Sequence, residues 1–370
     1  MDLKVNTKAL HKVLSVLIKG VPNKSLLPIL DNFLLKVSNG DAVLMAFDGE
    51  IMLTAKINAL EIKGDASFAI PAKLLTTLVS AMTDGELCLS YNSGEPSLIC
   101  NWDNGNSTLP VFNSEDFPEP KVPVTDSQIS FNQAFLKSAL AKTCATVTEN
   151  ENRPAISGIN FDVRKDGTTI AGTDGGVLVC VDAPVTGDRN FIIPLKAANI
   201  LKSMLDKNST VTVQSDGKTA LFDLGQFSMN TLVINKKYPD YKKVIPQQNP
   251  YSLCVKREKL EDAIKRVMIC ADKGSMMIKV KLSYNEMQLI GEDLAFQYVA
   301  NETLSCEYDG EDMEVGFKAP SLLLLVSNME CDDVEIKFQA SNKATLVIPA
   351  GDQIKDEPVT SVIMPMIVQK

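Results

Sequence analysis

The stretch FAIPAKLLTTLVSAM (Phe68–Met82) runs a short apolar strand through a proline into an amphipathic helix. FIIPLKAANILKSML (Phe191–Leu205) and VGFKAPSLLLLVSNM (Val315–Met329) repeat it at intervals of about 124 residues. Recurrence at a fixed period marks a chain built several times from one unit. The surrounding sequence keeps the same period. Each third opens on an alternating strand leading into a helix: LKVNTKALHKVLSV from Leu3, ISFNQAFLKSALAKTC from Ile129 and SLCVKREKLEDAIKRV from Ser252. A strand pair with an acid at its turn follows, and Asp48, Asp174 and Asp293 are the equivalent positions. Short alternating strands close each third: ELCLSYNSGEPSLIC, TVTVQSDGKTALFDL and DVEIKFQASNKATLVI.

Alternation of period 2 gives each strand one buried and one exposed face. Leu10, Val13, Leu14 and Leu17, and again Leu260, Ala263, Ile264 and Val267, recur at helical spacing and predict buried helix faces. The pattern predicts an α+β fold of three repeated domains, with helices on one side of antiparallel sheets. Proline-bearing connectors, PEPKVPVTDS and PQQNPY, divide the chain into expected domains at 1–121, 127–246 and 251–370.

The chain has 370 residues and a net charge of −9, which taken whole argues against nucleic acid. Its distribution reverses that impression. The helical windows 7–19, 71–83, 132–147, 194–207, 256–268 and 318–328 hold 15 Lys or Arg against 4 Asp or Glu. That balance of +11 leaves −20 for the rest of the chain. Lysines without interleaved aromatics suit attraction to phosphates rather than base reading or stacking. No run of about 18 uncharged apolar residues predicts a membrane span. Eight scattered cysteines and an N-terminus without an export signal read as reduced thiols in a cytoplasm.

Catalytic chemistry has little to stand on. His11 is the sole histidine, and no phosphate loop, dinucleotide fingerprint, nucleophile elbow or zinc-protease motif occurs. Thr173-Asp174-Gly175-Gly176 reads as a turn acid rather than a metal ligand, because its counterparts are FDGE and GEDL. A β-rich nucleotide- or sugar-processing enzyme is the competing reading. It would need a catalytic cluster on one third alone.

Five stretches bear a resemblance: SLLPILDNFLLKV (25–37), TLPVFNSEDFP (108–118), IAGTDG (170–175), YPDYKKVIP (238–246) and VIMPM (362–366). Through them nearly the whole chain resembles the bacterial DNA polymerase sliding clamp, the beta subunit of DNA polymerase III. The resemblance implies a head-to-tail homodimeric ring, helices lining a central hole and sheets outside, sliding on duplex DNA without catalysis and without cofactor or metal. It implies as partners the polymerase alpha subunit, the clamp-loader complex and other proteins carrying clamp-binding peptides.

The DNA-facing positions are the helix lysines Lys8, Lys12, Lys73, Lys137, Lys142, Lys196, Lys202 and Lys265, to which the resemblance adds Lys24 and Arg153. Carried over by motif, the peptide pocket would comprise Ile156, Thr173, Gly175, Leu178, Pro239, Val244, Val362, Met364, Pro365 and Met366. The subunit contact would use Asn106, Thr108 and Leu109 on one side and Ile269 and Cys270 on the other. Gly176-Val177 stands where the family commonly carries His-Arg, which removes a ring and a cation from the pocket margin.

Overall fold

The structure is a computed structural model that describes residues 1–368 except 26, 124, 126, 207–208 and 353–357. The last residue of the 194–207 window and residues 369–370 of the third expected domain lie outside the described residues.

The first third runs β1 (Asp2–Asn6), α1 (Thr7–Leu17), β2 (Asn32–Ser38), β3 (Asp41–Phe47), β4 (Ile51–Lys56) and β5 (Ala59–Lys63). It continues with β6 (Ala66–Pro71), α2 (Ala72–Ser80), β7 (Glu86–Tyr91), β8 (Ser97–Trp102), β9 (Gly105–Pro110) and β10 (Phe112–Asn113). The second runs β11 (Gln128–Asn132), α3 (Gln133–Cys144), β12 (Gly158–Arg164), β13 (Gly167–Thr173) and β14 (Val177–Ala183). β15 (Phe191–Pro194), α4 (Leu195–Met204), β16 (Thr210–Ser215), β17 (Thr219–Asp223) and β18 (Phe227–Leu232) complete it. The third runs β19 (Tyr251–Lys256), α5 (Arg257–Val267), β20 (Met277–Ser283), β21 (Glu286–Asp293), β22 (Tyr298–Ser305) and β23 (Glu307–Tyr308). It ends with β24 (Met313–Lys318), α6 (Ala319–Ser327), β25 (Asp333–Phe338), β26 (Thr345–Pro349) and β27 (Val359–Ile363).

Local chemistry starts the helices where the sequence changes period. The Asn6 side chain accepts from Ala9 N–H at 2.9 Å, and Asn132 accepts from Phe135 N–H at 3.1 Å. Such a cap contributes about 1 kcal/mol. The faces expected from spacing are the ones buried, Leu10, Val13, Leu14 and Leu17 on α1 and Leu260, Ala263, Ile264 and Val267 on α5.

The turn acids also repeat in detail. Asp48 Oδ1 accepts from Glu50 and Ile51 N–H, Asp174 Oδ1 from Gly176 and Val177 N–H, and Asp293 Oδ1 from Ala295 and Phe296 N–H. Two residues before the later two acids sit Gly172 and Gly291. A Cβ there would lie 2.5 Å from the Thr143 carbonyl oxygen and 2.2 Å from that of Val267. The end of the helix comes that close, so only glycine fits.

Packing gathers the chain into two compact units that do not follow the thirds. One is Met1–Lys137 with Asn199–Val233, the other Ser138–Ala198 with Ile234–Lys370. The first unit holds a five-stranded sheet, β5-β1-β7-β8-β9, and a nine-stranded sheet, β10-β6-β2-β3-β4-β18-β17-β16-β11. The second holds a nine-stranded sheet, β15-β12-β13-β14-β27-β26-β25-β19-β23, and a four-stranded sheet, β22-β21-β20-β24. Each nine-stranded sheet therefore joins strands of two successive thirds, through β4–β18 in one and β14–β27 in the other.

Candidate functional site

The two joints share one register. Ile51 lies opposite Thr231 and Ala55 opposite Phe227 in the first; Val177 lies opposite Ile363 and Val181 opposite Val359 in the second. Beyond each ladder the chain makes one more bond: Leu232 N–H to the Glu50 carbonyl at 3.1 Å, and Met364 N–H to that of Gly176 at 2.9 Å. Two residues further, Ile234 N–H donates to the Ile192 carbonyl and Met366 N–H to that of Gly316, both at 2.8 Å. The tail Met364-Pro365-Met366 is thus not a loose end. It is the third copy of a connecting strand, tied to the turn before β14 and to β24.

Leu178 and Val362 face each other across the second joint and pack with Ala171, Cys180 and Tyr241, flanked by Tyr238, Ile245, Ala344 and Leu346. Of the expected pocket residues, Leu178 and Val362 form this floor, while Met364 and Val244 are half exposed beside it. Thr173 ends β13; its hydroxyl donates to the Val177 carbonyl at 2.5 Å and accepts from Gly175 N–H at 3.0 Å. Gly175 takes φ +94°, which the two-residue turn requires. Pro365 and Met366 are partly covered. Ile156 and Pro239 sit on separate segments outside the packed cluster.

A shift of 126 residues maps Ile156, Thr173 and Leu178 onto Leu30, Phe47 and Met52, which pack in one cluster with Phe117.

Sequence reasoning missed what fixes the segment packed on the cluster of Leu178 and Val362. The 3₁₀ turn Tyr241–Val244 is pinned by Asp162 on β12. Its Oδ2 accepts from the Tyr241 hydroxyl at 2.6 Å and Arg164 Nη1 at 2.6 Å, with Lys242 Nζ at 3.1 Å. Burial alone would raise the Asp162 carboxyl. The bonds from Tyr241 and Lys242 and the charges of Lys242 and Arg164 outweigh it and hold the group below its ordinary value of 3.8. Burial and the same bond push the Tyr241 phenol up. The signal was present in YPDYKKVIP, whose second tyrosine and first lysine are the anchors.

Among the expected DNA-facing residues, Lys8, Lys12, Lys24, Lys73 and Arg153 are exposed. Lys196 is also exposed, and Lys202 is half-buried. Lys137 is exposed and donates to the Leu205 carbonyl at 3.1 Å. Lys142 departs from expectation. It is 5% exposed, with Nζ 2.8 Å from Glu330 Oε1 and 2.6 Å from Ser138 Oγ, so it does not stand on a solvated face. Its position on α3 turns it inward, where only a paired ammonium is tolerated. Lys265 lies 2.7 Å from Glu261 and 3.7 Å from Asp262, and Arg257 also binds Glu261. The strong positive count of α5 is therefore largely neutralised in place. Lys8, Lys12, Lys24, Lys73, Lys137 and Lys202 belong to the first unit, the other four to the second.

The five- and four-stranded sheets have β9 and β22 among their edge strands. β9 pairs with β8 alone and β22 with β21 alone. Asn106 and Thr108 on β9 are exposed, and Leu109 is buried. Ile269 is 78% exposed, and Cys270 partly covered, after α5. Apolar Leu294, Phe296, Tyr298 and Val299 are exposed on and before β22, which the sequence reading did not single out. Among the described residues no group of His, Cys, Asp or Glu is gathered to hold a metal ion, and no helix is long and apolar enough to cross a membrane.

Three family descriptions match the chain: the DNA polymerase III beta subunit N-terminal domain over 1–122, central domain over 130–240 and C-terminal domain over 242–367. The beta sliding clamp of Vibrio cholerae is 26% identical over 99% of this chain and 100% of its own length. That of Escherichia coli K12 is 23% identical over 99% and 100%. The crystal structure of a Pseudomonas aeruginosa sliding clamp bound to griselimycin superposes with TM-score 0.93 at 23% identity, covering 100% of both chains. The Thermotoga maritima beta subunit gives 0.89 at 23%, also over 100% of both. The fold is the three-domain sliding-clamp fold, and the chain belongs to the DNA polymerase III beta subunit family.

Proposed function

We propose that this chain is a non-catalytic sliding clamp in which two copies close head to tail around duplex DNA, with domains at 1–121, 127–246 and 251–370. The observation that carries the reading is the unfinished repeat. One joint occurs twice within the chain with the same register, and its two halves are left open a third time, as β22 and β9. Continuing the register pairs Tyr298 with Leu109 and Asn301 with Asn106 of a second copy. The bond from Lys56 N–H to the Gln226 carbonyl, matched by Asp182 to Pro358, predicts Thr303 N–H donating to the Asn104 carbonyl of the second copy. Closure would remove two sheet edges that otherwise invite aggregation.

In this reading Lys8, Lys12, Lys24, Lys73, Lys137, Arg153, Lys196 and Lys202 supply attraction to phosphates. Lys142 and Lys265 contribute less, because carboxylates already hold them. The cleft at the second joint docks short peptides with leucine or phenylalanine anchors from the polymerase alpha subunit, the clamp loader and other replication and repair proteins in the cytoplasm. Half-exposed Met364 beside the apolar floor suits varied ligands. Light scattering on a size-exclusion column tests the premise. The account expects about twice the 40.3 kDa of one chain, and a monomer at micromolar concentration would sink it.

A further inference from the structure

The open edge of the third domain differs from its two internal counterparts, and the difference is apolar. Asp48 and Ile51, like Asp174 and Val177, are separated by two residues. Asp293 and Tyr298 are separated by four, Leu294 to Gln297, because Asp293 pairs directly with Tyr298 in the β21–β22 ladder. Ile51 and Val177 are 1% and 4% exposed, whereas Tyr298, in the equivalent place, is 53% exposed. Phe296 stacks on Tyr298, with ring centroids 6.0 Å apart and planes at 15°. Leu294 stands exposed in the same loop, and Gln297 takes φ +57°.

The opposing edge differs as well. Leu232 and Met364 each donate the extra bond that ends an internal joint. Their counterpart on β9 is Pro110, which has no N–H to give. The backbone therefore cannot hold this end of a joint between two copies. Beyond it Phe112, the counterpart of Ile234 and Met366, is exposed.

We propose that Leu294, Phe296 and Tyr298 form an aromatic latch that covers Leu109, Pro110 and Phe112 of a second copy, replacing the missing backbone bond with apolar contact. The proposal rests on the ring reading above, and its occupant is fixed by the register of the two internal joints. A latch of this kind makes closure insensitive to salt, since burial of apolar surface is not screened as ion pairs are.

Sedimentation velocity over a dilution series, in 0.05 and 1 M NaCl, reads the monomer–dimer constant. The wild type should be no weaker at high salt. Phe296→Ser with Tyr298→Ser should weaken the dimer by about a hundredfold, and Phe112→Ser combined with Phe296→Ser should cost less than the product of the single effects. Both variants change exposed side chains, and an unchanged circular dichroism spectrum confirms folding. A dimer that weakens steeply with salt, or one indifferent to Phe296→Ser/Tyr298→Ser, overturns the latch while leaving the ring. A wild type that never dimerises overturns the ring itself.

Discussion

The joint between β4 and β18 and the joint between β14 and β27 have the same backbone and opposite surfaces. At the first, Leu30, Phe47, Met52 and Phe117 pack into a closed apolar cluster. At the second, Ile156, Thr173 and Leu178 take the places of Leu30, Phe47 and Met52, so a buried aromatic ring has become a partly covered hydroxyl. The partner strand changes in step. Buried Asn230, whose Nδ2 donates to the Lys121 carbonyl at 3.0 Å, occupies the place of Val362. Even the anchors are inverted. Lys36 on β2 holds Glu119 of the first connector, while Asp162 on β12 holds Tyr241 and Lys242 of the second. Duplication supplied one architecture; the side chains at these places differ in volume and polarity.

The largest expected effect comes from removing the plug of the closed joint. Phe117→Ala deletes a 4%-exposed ring and should destabilise the first unit by about 3–5 kcal/mol in denaturant titration. Peptide affinity should not change, because Asn230 keeps the emptied site polar. New peptide binding at that joint would break the comparison.

The reverse experiment puts a plug into the open joint. Thr173→Phe, which restores the ring that Phe47 supplies at the first joint, should weaken a leucine-anchored peptide of the QLxLF type by about ten- to a hundredfold, since burying such an anchor contributes about 1.5–3 kcal/mol. Calorimetric titration reads this directly, and undiminished affinity in a folded dimer would put the cleft elsewhere.

A smaller effect separates the anchor from the floor. Asp162→Asn loses the charge that Lys242 and Arg164 face and should cost about 1–3 kcal/mol at neutral pH. The folded carboxyl titrates below 3.8, so its stabilisation is complete above that value and is lost as pH falls through the folded value. Wild type and variant should therefore converge in acid unfolding curves as pH falls through the folded value, which lies below 3.8. A constant gap at every pH would mean the carboxylate is not the anchor.

The smallest effect belongs to the first connector. Lys36→Ala breaks an ion pair exposed at both ends and should change stability by less than about 1 kcal/mol, falling further in salt.

The repeat and its helices were legible because periodicity is local. Proline-to-helix units, turn acids and helix faces all lie within windows of fifteen residues. Leu178, Val362 and Met364 were reachable through motif alone, and the structure brings them together by pairing β14 with β27, which no local pattern encodes. Lys142 was misplaced for the same reason. Its helix spacing looks polar, yet Glu330 from almost two hundred residues away closes over it. The exposed Phe296–Tyr298 pair escaped notice because alternation within β22 reads like that of any strand. Only comparison with buried Ile51 and Val177 reveals a face left without cover.

The central claim is that the repeat closes into a ring, and topology tests it without reference to any single side chain. The clamp is loaded onto a nicked circular plasmid by its loader, challenged with 1 M NaCl, and passed over a gel-filtration column before and after a single linearising cut. The account predicts retention on the circle and release from the linear form at the same salt, because linkage survives screening that abolishes phosphate attraction. Equal loss from both forms would contradict it.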